Sequence, residues 1–283
     1  MIKVGVVILN YKVLEKVKAC LSSVFKSDYE NLQVYVLDNN SHDGSDEYFS
    51  SKNEVKFYQT DKNLGYSGGN NIGIDLALKD NCQAIFILNP DTEIEPTTVT
   101  RLVKALETGV GIAGPKIFFS NSKKIWYAGG IFDSANVLGS HRGVNEEDHG
   151  QFNELAETDY VTGAAMMVKR EVFERIGILD DNYFLYYEDT DFCLRAKKAG
   201  FKIVYAPAAV VYHENAQSTG IGSSLQDYFI TRNRLLLARK FLPFRTQFAL
   251  IREAIRNLAK PIRRQAFFDF LLGNLKGGSF IND

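Results

Sequence analysis

The stretch KVGVVILNYKVLEKVKACLSSVF (residues 3–25) joins two hydrophobic periods. Residues 3–9 are a near-continuous apolar run, the pattern of a buried strand. After it, Val13, Leu14, Val17, Leu21, Val24 and Phe25 recur at helical spacing and form one apolar stripe. The same alternation continues along the chain. LQVYVLDN (32–39), VKFYQT (55–60) and QAIFILNPD (83–91) read as strands, and GGNNIGIDLALKD (68–80) as a helix opened by glycines. Val99, Leu102, Val103 and Leu106 make the inner face of a helix that Pro96 would begin. Strands alternating with helices over the first 115 residues imply an α/β fold, a parallel sheet with helices on both faces. Ligands of such sheets bind beyond the carboxyl ends of the strands. Those ends read Asn10-Tyr11, Asp38-Asn39-Asn40, Asp61 and Asn89-Pro90-Asp91, so polar residues gather at one edge.

The second half is less regular. IWYAGGIF (125–132) reads as a strand with a glycine break, and 139–159 is polar, acidic and aperiodic, either disordered or a functional flap. YVTGAAMMVKREVFERIG (160–177) is a strand leading into a short helix ended by Gly177. FKIVYAP (201–207) and AVVYHE (209–214) read as two strands, and beyond about 223 the chain is helical and basic.

The chain has 283 residues, 45% of them hydrophobic, as in an ordinary globular protein with a substantial core. No run approaches the roughly 18 apolar residues of a membrane span. The N-terminal run is too short for a signal peptide, so the chain is expected to be cytoplasmic. Cys20, Cys82 and Cys193 sit among apolar neighbours with no C-x-x-C pair, which favours buried reduced thiols over zinc. The net charge of −1 divides unevenly: 226–266 holds ten Lys and Arg against Asp227 and Glu253. A basic segment on an acidic protein points to an anionic partner, and no nucleic-acid motif accompanies it.

Several clusters carry chemistry, each beside a plainer alternative. Asp38 ends a strand, where a carboxylate can accept from a nucleobase N–H or simply make a turn. In DKNLGYSGGNNIGI (61–74), glycines at a strand-to-helix junction offer free helix N–H groups to phosphate or ribose oxygens, or make a turn. Asp91 is expected to be exposed past its strand, as a ligand for a hard cation or in a Pro-Asp turn. His213 ends another strand, as a ligand or a structural histidine. In FLYYEDTDFCLRAKKAG (184–200), Glu188, Asp189 and Asp191 open a helix. Acids there complement the helix dipole, but three behind an aromatic patch also fit a general base in a partly apolar pocket.

Taken in order, ILNY, DNNSHDGS, NLGYSGGNNIG, NPDTEIEP, TGAAMMVKRE, FLYYEDTDFCLR, YHENAQS and YFITRNRLLLARKFLP resemble the family-2 inverting glycosyltransferases of GT-A fold. They are closest to the rhamnosyltransferase-like branch of bacterial surface-polysaccharide synthesis, over roughly residues 2–245. The resemblance implies a Rossmann-like nucleotide-binding half with a mixed central sheet. It divides the chain into a nucleotide-sugar half (1–115), an acceptor and catalytic half of the same domain (116–223) and a basic helical extension (224–283). It places Asn10, Asp38, Asn63, Gly68, Gly69, Asn70 and Asn89 around the nucleotide sugar, and Asp91 and His213 on a Mn2+ or Mg2+ ion. Asn89 stands where the family's D-x-D motif has its first acid, a departure from a two-acid metal site. Trp126, Thr162, Gly163, Ala164, Tyr187 and Asp191 fall in the sugar and acceptor pocket, with Asp191 also able to orient its neighbours. Glu188-Asp189 matches the E-D motif, with Asp189 as base.

The implied partners are a nucleotide-diphosphate sugar, dTDP-rhamnose or a UDP-hexose, and a glycan acceptor on a lipid diphosphate at the inner face of the plasma membrane. The basic segment 226–266 would then touch an anionic membrane peripherally, or its helices would pack on the domain or on a second subunit of a homodimer. Competing readings are a sugar nucleotidyltransferase, which lacks support because NYKVLEK follows the first strand, and a non-catalytic glycan- or sugar-nucleotide-binding protein.

Overall fold

A computed structural model of the chain describes residues 1–107, 109–214 and 222–281. The first part alternates as the periodicity requires: β1 (Val4–Asn10), α1 (Leu14–Val24), β2 (Leu32–Asp38), α2 (Ser45–Ser50), β3 (Val55–Gln59), α3 (Gly65–Lys79) and β4 (Ala84–Leu88). A short β5 (Thr92–Ile94) and α4 (Thr98–Ala105) lead to the long β6 (Val110–Phe119). Next come β7 (Ile125–Tyr127), β8 (Gly130–Asp133), β9 (Leu138–His141), β10 (Ala156–Glu157) and β11 (Ala165–Lys169). The chain closes with α5 (Arg170–Ile176), α6 (Glu188–Lys198), β12 (Lys202–His213), α7 (Ser224–Phe241), α8 (Phe244–Arg256) and α9 (Pro261–Leu272).

The sheet runs β10-β12-β6-β11-β4-β1-β2-β3, with β5 on β12 and β7 on β6. β1 pairs in parallel with β2 and β4, and β2 with β3, in a register that sets Asn10 beside Asp38. β11 runs antiparallel between β4 and β6, which makes the sheet mixed. Alternate side chains of the buried strands feed two cores. Val6, Ile8, Val36 and Phe86 meet α1 and α4 on one face, while Val7, Tyr35, Leu37 and Ile87 meet α3, α5 and α6 on the other. At Gly69 an added Cβ would lie 2.5 Å from Leu9, and at Gly73 2.5 Å from Val7, so these glycines let α3 sit close to the sheet. The C-terminal helices share a third core, in which Leu235, Leu236, Leu237, Leu250, Phe267 and Phe270 enclose Tyr183 and Val137 of the main body.

Several expectations are corrected. Phe25 is 54% exposed, because α1 ends at Val24 and the chain turns there. α3 starts at Gly65, three residues before the expected 68. α4 starts at Thr98, with Thr97 at its N-cap, so Pro96 lies before the helix. The two strands expected over 201–214 are the single β12, whose register on β6 shifts between Ala206 and Val210. Pro207 lies in that shift: it has no N–H for the ladder, and it breaks the alternation without ending the strand. Residues 139–159 are ordered, which corrects the disordered alternative. They contribute to β9 and β10, a bridge from Glu147 to Lys124, and Asp148 and Asn153, which accept from the buried Lys116 ammonium at 2.7 and 2.6 Å. The three cysteines are free and buried.

Candidate active site

Three groups of polar side chains meet at the carboxyl ends of β1, β2 and β4. The first is a closed network. The Asn10 amide lies 2.8 Å from Asp38 Oδ1, 2.7 Å from Ser45 Oγ and 3.1 Å from Ser41 Oγ, while its carbonyl accepts from Val13 N. Asp38 also accepts from Ser41 N at 3.1 Å and Gln59 Nε2 at 3.0 Å. Both Asn10 and Asp38 are fully buried. Asn39 donates to Asn63 Oδ1 (2.8 Å) and to Gly65 O (3.1 Å), which ties the end of β2 to the entry of α3.

The expectation of free N–H groups at the start of α3 is corrected. Leu64 N donates to Asn39 Oδ1, Gly65 N to Asn63 Oδ1, and Tyr66 N and Ser67 N to Phe184 O. The 183–187 loop therefore caps this helix, and Gly65 (φ +73) allows the approach: a Cβ there would lie 2.5 Å from Phe184. Gly68 faces Leu64 within α3.

The second group is Asp91, His213 and Trp126. β5 pairs with the end of β12, setting Thr92 opposite His213, and this folds the Asp91 turn inward. Asp91 is therefore not exposed: its carboxylate is 8% accessible and lies 3.2 Å from His213 Nε2. Burial pushes the Asp91 carboxyl up, but the hydrogen bond and charge of His213, a backbone N–H and the charge of Lys16 together outweigh it, and the net direction is down. Trp126 stands edge-on between His213 and His141, with ring centroids at 4.6 and 4.4 Å. Burial pushes His141 down to about 4, so it is a neutral packing partner. The rest of YHENAQS, 215–218, lies outside the described residues.

The third group surrounds the opening of α6. Asp189 is partly exposed. Its Oδ2 accepts from Gly163 N at 3.0 Å and its Oδ1 from Thr190 N at 2.6 Å. Burial pushes its carboxyl up, against the pull of these N–H donors. Glu188 is 5% exposed, its Oε2 has no partner, and burial with the neighbouring Asp189 charge pushes it well above the usual range. Thr162 and Ala164 are buried, and Ala164 O accepts from Asn89 N at 2.9 Å, linking this group to the Asp91 turn. Tyr66 joins them further: its hydroxyl donates to Gly163 O at 2.6 Å, and burial with the charges of Glu188, Asp189 and Asp91 pushes its pKa up.

Two residues grouped with the pocket on sequence grounds lie elsewhere. Asp191 is fully enclosed and accepts from Arg195 Nε (2.7 Å), Tyr183 Oη (3.1 Å) and Lys240 Nζ, so it orients its neighbours rather than lining an opening. Tyr187 packs on the C-terminal core and donates to Val137 O at 2.9 Å.

Sequence reasoning missed Tyr66 and Ser67, although both lie inside a motif it singled out. Ser67 Oγ, Asn70 Oδ1, Glu188 Oε2 and His213 Nδ1 are buried without a hydrogen-bond partner. Buried polar atoms are nearly always paired, so orphans gathered in these motifs mark a place that its own chain leaves incomplete.

Among the described residues, no three His, Cys, Asp or Glu side chains converge as a metal site. Magnesium and manganese, however, are commonly held by one or two protein ligands, with phosphate and water oxygens completing the shell. The 3.2 Å separation of Asp91 and His213 is close to the ~3 Å between adjacent ligands of an octahedral ion with ~2.1 Å bonds. The pair thus fits a cation shared with a diphosphate.

A family model described as glycosyl transferase family 2 matches residues 5–177. The low-salt glycan biosynthesis hexosyltransferase Agl10 of Haloferax volcanii is 29% identical over 82% of this chain and 74% of its own. An N-acetylglucosaminyl-diphospho-decaprenol L-rhamnosyltransferase of Mycobacterium tuberculosis is 27% identical over 76% of this chain and 77% of its own. The crystal structure of GalNAc-T7 with UDP, GalNAc and Mn2+ superposes with a TM-score of 0.64 at 17% identity, over 84% of this chain and 48% of that one, about half of its length.

Proposed function

The chain belongs to glycosyl transferase family 2, and from that premise we propose that it transfers a sugar with inversion from a nucleotide diphosphate to a hydroxyl of a growing, lipid-linked surface glycan. It is a glycosyltransferase whose mixed central sheet is that of the GT-A fold, extended by C-terminal helices. The proposed donor is dTDP-rhamnose or a UDP-hexose. The rhamnosyltransferase among its relatives, with a lipid diphosphate in its name, supports both the sugar and the kind of acceptor.

The observation that carries the mechanism is the different state of the three acids of α6. Asp191 is occupied by Arg195 and Lys240, and Glu188 is enclosed, its carboxyl pushed up by burial. Asp189 alone is partly open, with its carboxylate fixed by two backbone N–H groups. A base needs a pKa raised towards the working pH and a fixed position, and Asp189 has both. Asp189 takes the proton from the acceptor hydroxyl as the new glycosidic C–O bond forms and the bond from the anomeric carbon to the diphosphate breaks. With base and diphosphate on opposite faces of the sugar, the configuration inverts. Asp91 and His213 would hold Mg2+ or Mn2+, which neutralises charge on the leaving diphosphate when bound. Asn63, Asn70 and the backbone around Asn89 frame the donor in this reading, and Asp38, buried among Asn10, Ser41 and Gln59, would reach the base only if that network opens. Asp189→Asn should abolish transfer while dTDP or UDP still binds with parental affinity. Near-parental turnover by the folded variant would remove the assignment.

The proposed place of action is the cytoplasmic face of the plasma membrane. Among the described residues no helix is long and apolar enough to cross a membrane. Part of the basic segment is used internally: Arg234 pairs with Glu253, Arg263 with Asp227, and Lys240 with Asp180 and Asp191. Arg245, Arg252 and Arg256 of α8 are exposed. At about 100° per residue, Phe244, Phe248 and Ile255 fall within about 40° of arc and these arginines in the next ~80°. All three apolar side chains are exposed, Phe244 by 77%. An exposed apolar stripe flanked by cations favours an anionic lipid surface over a second subunit.

A further inference from the structure

We propose that Arg232 and Asn233 of α7 are positioning residues for the reaction: they hold the backbone of the 182–187 loop and thereby set where Asp189 stands. The inference rests on the reading of Asp189 as base and extends it to a part of the chain beyond the residues that the family model matches.

The loop needs an external hold. Phe184, Tyr186 and Tyr187 adopt φ values of 62°, 68° and 74°, the left-handed region that side chains with a Cβ rarely occupy. Strain of this kind persists only where the surroundings over-determine it. Here every carbonyl from 182 to 187 is occupied. Arg232 Nη2 donates to Asn182 O and Tyr183 O at 3.1 and 3.0 Å. Asn233 Nδ2 lies 2.9, 2.9 and 2.8 Å from Tyr183 O, Leu185 O and Tyr186 O. Phe184 O caps α3, and Tyr187 O accepts from Asp191 N. Arg232 Nε in turn donates to Asn233 Oδ1 at 3.0 Å, which fixes the amide with its donors towards the loop.

Both side chains are fully buried on a helix whose neighbouring positions are Leu235, Leu236 and Leu237. Leucines would fill that space without desolvating a guanidinium. What Arg232 and Asn233 supply instead is donors aimed at carbonyls, and Asp189 lies two residues beyond the last of the three left-handed positions. The same grip acts at both ends of the site, because the loop it holds also caps α3.

The test uses the full-length chain with Asn233→Asp, which keeps the shape but turns an acceptor towards the loop carbonyls, and Asn233→Ala. Backbone amide exchange is followed by mass spectrometry, and kinetics are run with dTDP-rhamnose and UDP-hexoses. The expected result for Asn233→Asp is exchange over 183–189 faster by about tenfold or more, with β1–β4 unchanged. Its kcat should fall on the order of a hundredfold, the loss that a ~1 Å misplacement produces, with donor KM within about twofold. The acidic limb of the pH profile should move to lower pH as Asp189 loses its enclosure. Asn233→Asp with parental exchange over 183–189 would overturn the proposal, because a space-filling residue tolerates an isosteric change. The exchange measurement needs no turnover, so it decides the matter even if every donor tried is inert and the reading of Asp189 fails separately. If Asn233→Asp does not fold, Arg232→Lys, which keeps the charge and loses the fork, is read by the same two criteria.

Discussion

Removing the Asp191 carboxylate should lower stability strongly without directly touching substrate. Asp191 is fully buried and receives Arg195 Nε, Lys240 Nζ and Tyr183 Oη. Taking one partner from a buried ion pair typically removes ~3–5 kcal/mol, because the other charge is left desolvated. Both cations keep other contacts: Arg195 donates to Ile176 O and Ile178 O, and Lys240, 28% exposed, still reaches Asp180 at 2.8 Å. The loss in Asp191→Ala is therefore placed at the lower end, about 3 kcal/mol. At ~2–4 °C per kcal/mol that is a fall in Tm of roughly 6–12 °C. Asp191→Asn, which keeps the shape and one acceptor, should lose about half as much. Urea unfolding followed by tryptophan fluorescence, using the single Trp126, gives both values. If Asp191 lined the acceptor pocket instead, the substitution would raise acceptor KM and leave unfolding alone. A loss below about 1 kcal/mol, the range of a solvent-screened surface pair, would refute the buried-network account.

Three further outcomes follow from the same geometry. Glu188 has a folded pKa raised above its ordinary 4.5, so the folded state holds a proton that the unfolded chain releases, and stability falls as pH rises through 4.5 towards the folded value. Glu188→Gln should therefore be more stable than the parent at pH 8, with the advantage shrinking towards pH 4; a pH-independent difference in denaturant midpoints would count against a buried neutral acid. Gly73→Ala places a methyl 2.5 Å from Val7 and 2.6 Å from Leu37 and should cost about 1–3 kcal/mol by overpacking, whereas Gly177→Ala meets no neighbouring atom and is limited by its φ of +78° alone. Full-length protein should co-sediment with phosphatidylglycerol vesicles at low salt, and Phe244→Ser with Phe248→Ser, or Arg252→Glu with Arg256→Glu, should each abolish this without changing nucleotide binding; absence of parental binding would remove the membrane contact.

The fold was legible wherever the periodicity was clean. The unbroken run of β1, the 3.6-residue stripe of α1 and the repetition through β4 specify a covered parallel sheet without any tertiary information. Legibility failed where one residue had two meanings. Pro207 looked like a strand end and is a bulge within β12. The glycines of 61–74 read either as a cradle for phosphate or ribose oxygens or as a turn, and Gly69 and Gly73 bring α3 against Leu9 and Val7. Within the site, the segments were visible as polar strand ends, but the state of each acid was not. The motif resemblance picks out Asp189 as base, but the burial of Glu188, Asp189 and Asp191 and their partners, contributed from residues 163, 183, 195 and 240, are not written in their local sequence. Arg232 and Asn233 were hidden for a similar reason. In a stretch with ten cations, a buried arginine has no signature, because the register that turns it inward is set by helices packed later in the chain.

That division has a chemical consequence. The match to the family model ends at residue 177, while Asp189, His213 and the Arg232–Asn233 grip all come after it. The matched part contains the parallel strands and the Asn10–Asp38–Asn63 network. A nucleotide diphosphate presents much the same base, ribose and phosphates whichever sugar it carries, so this part can be similar across relatives with different substrates. The later part must fit an acceptor hydroxyl to a base, and acceptors differ in shape. If Asp189 is the base, as proposed, that fit would be controlled from α7, through carbonyl contacts that constrain where the backbone lies. Phe184 is buried against Phe229 and Tyr187 packs on the C-terminal core, so the positions left to change with the acceptor, while the hold on their carbonyls stays constant, are Leu185 and Tyr186. On this argument, exchanging Leu185 and Tyr186 for the residues of a relative with another acceptor should redirect acceptor choice only when an Arg-Asn pair remains behind them.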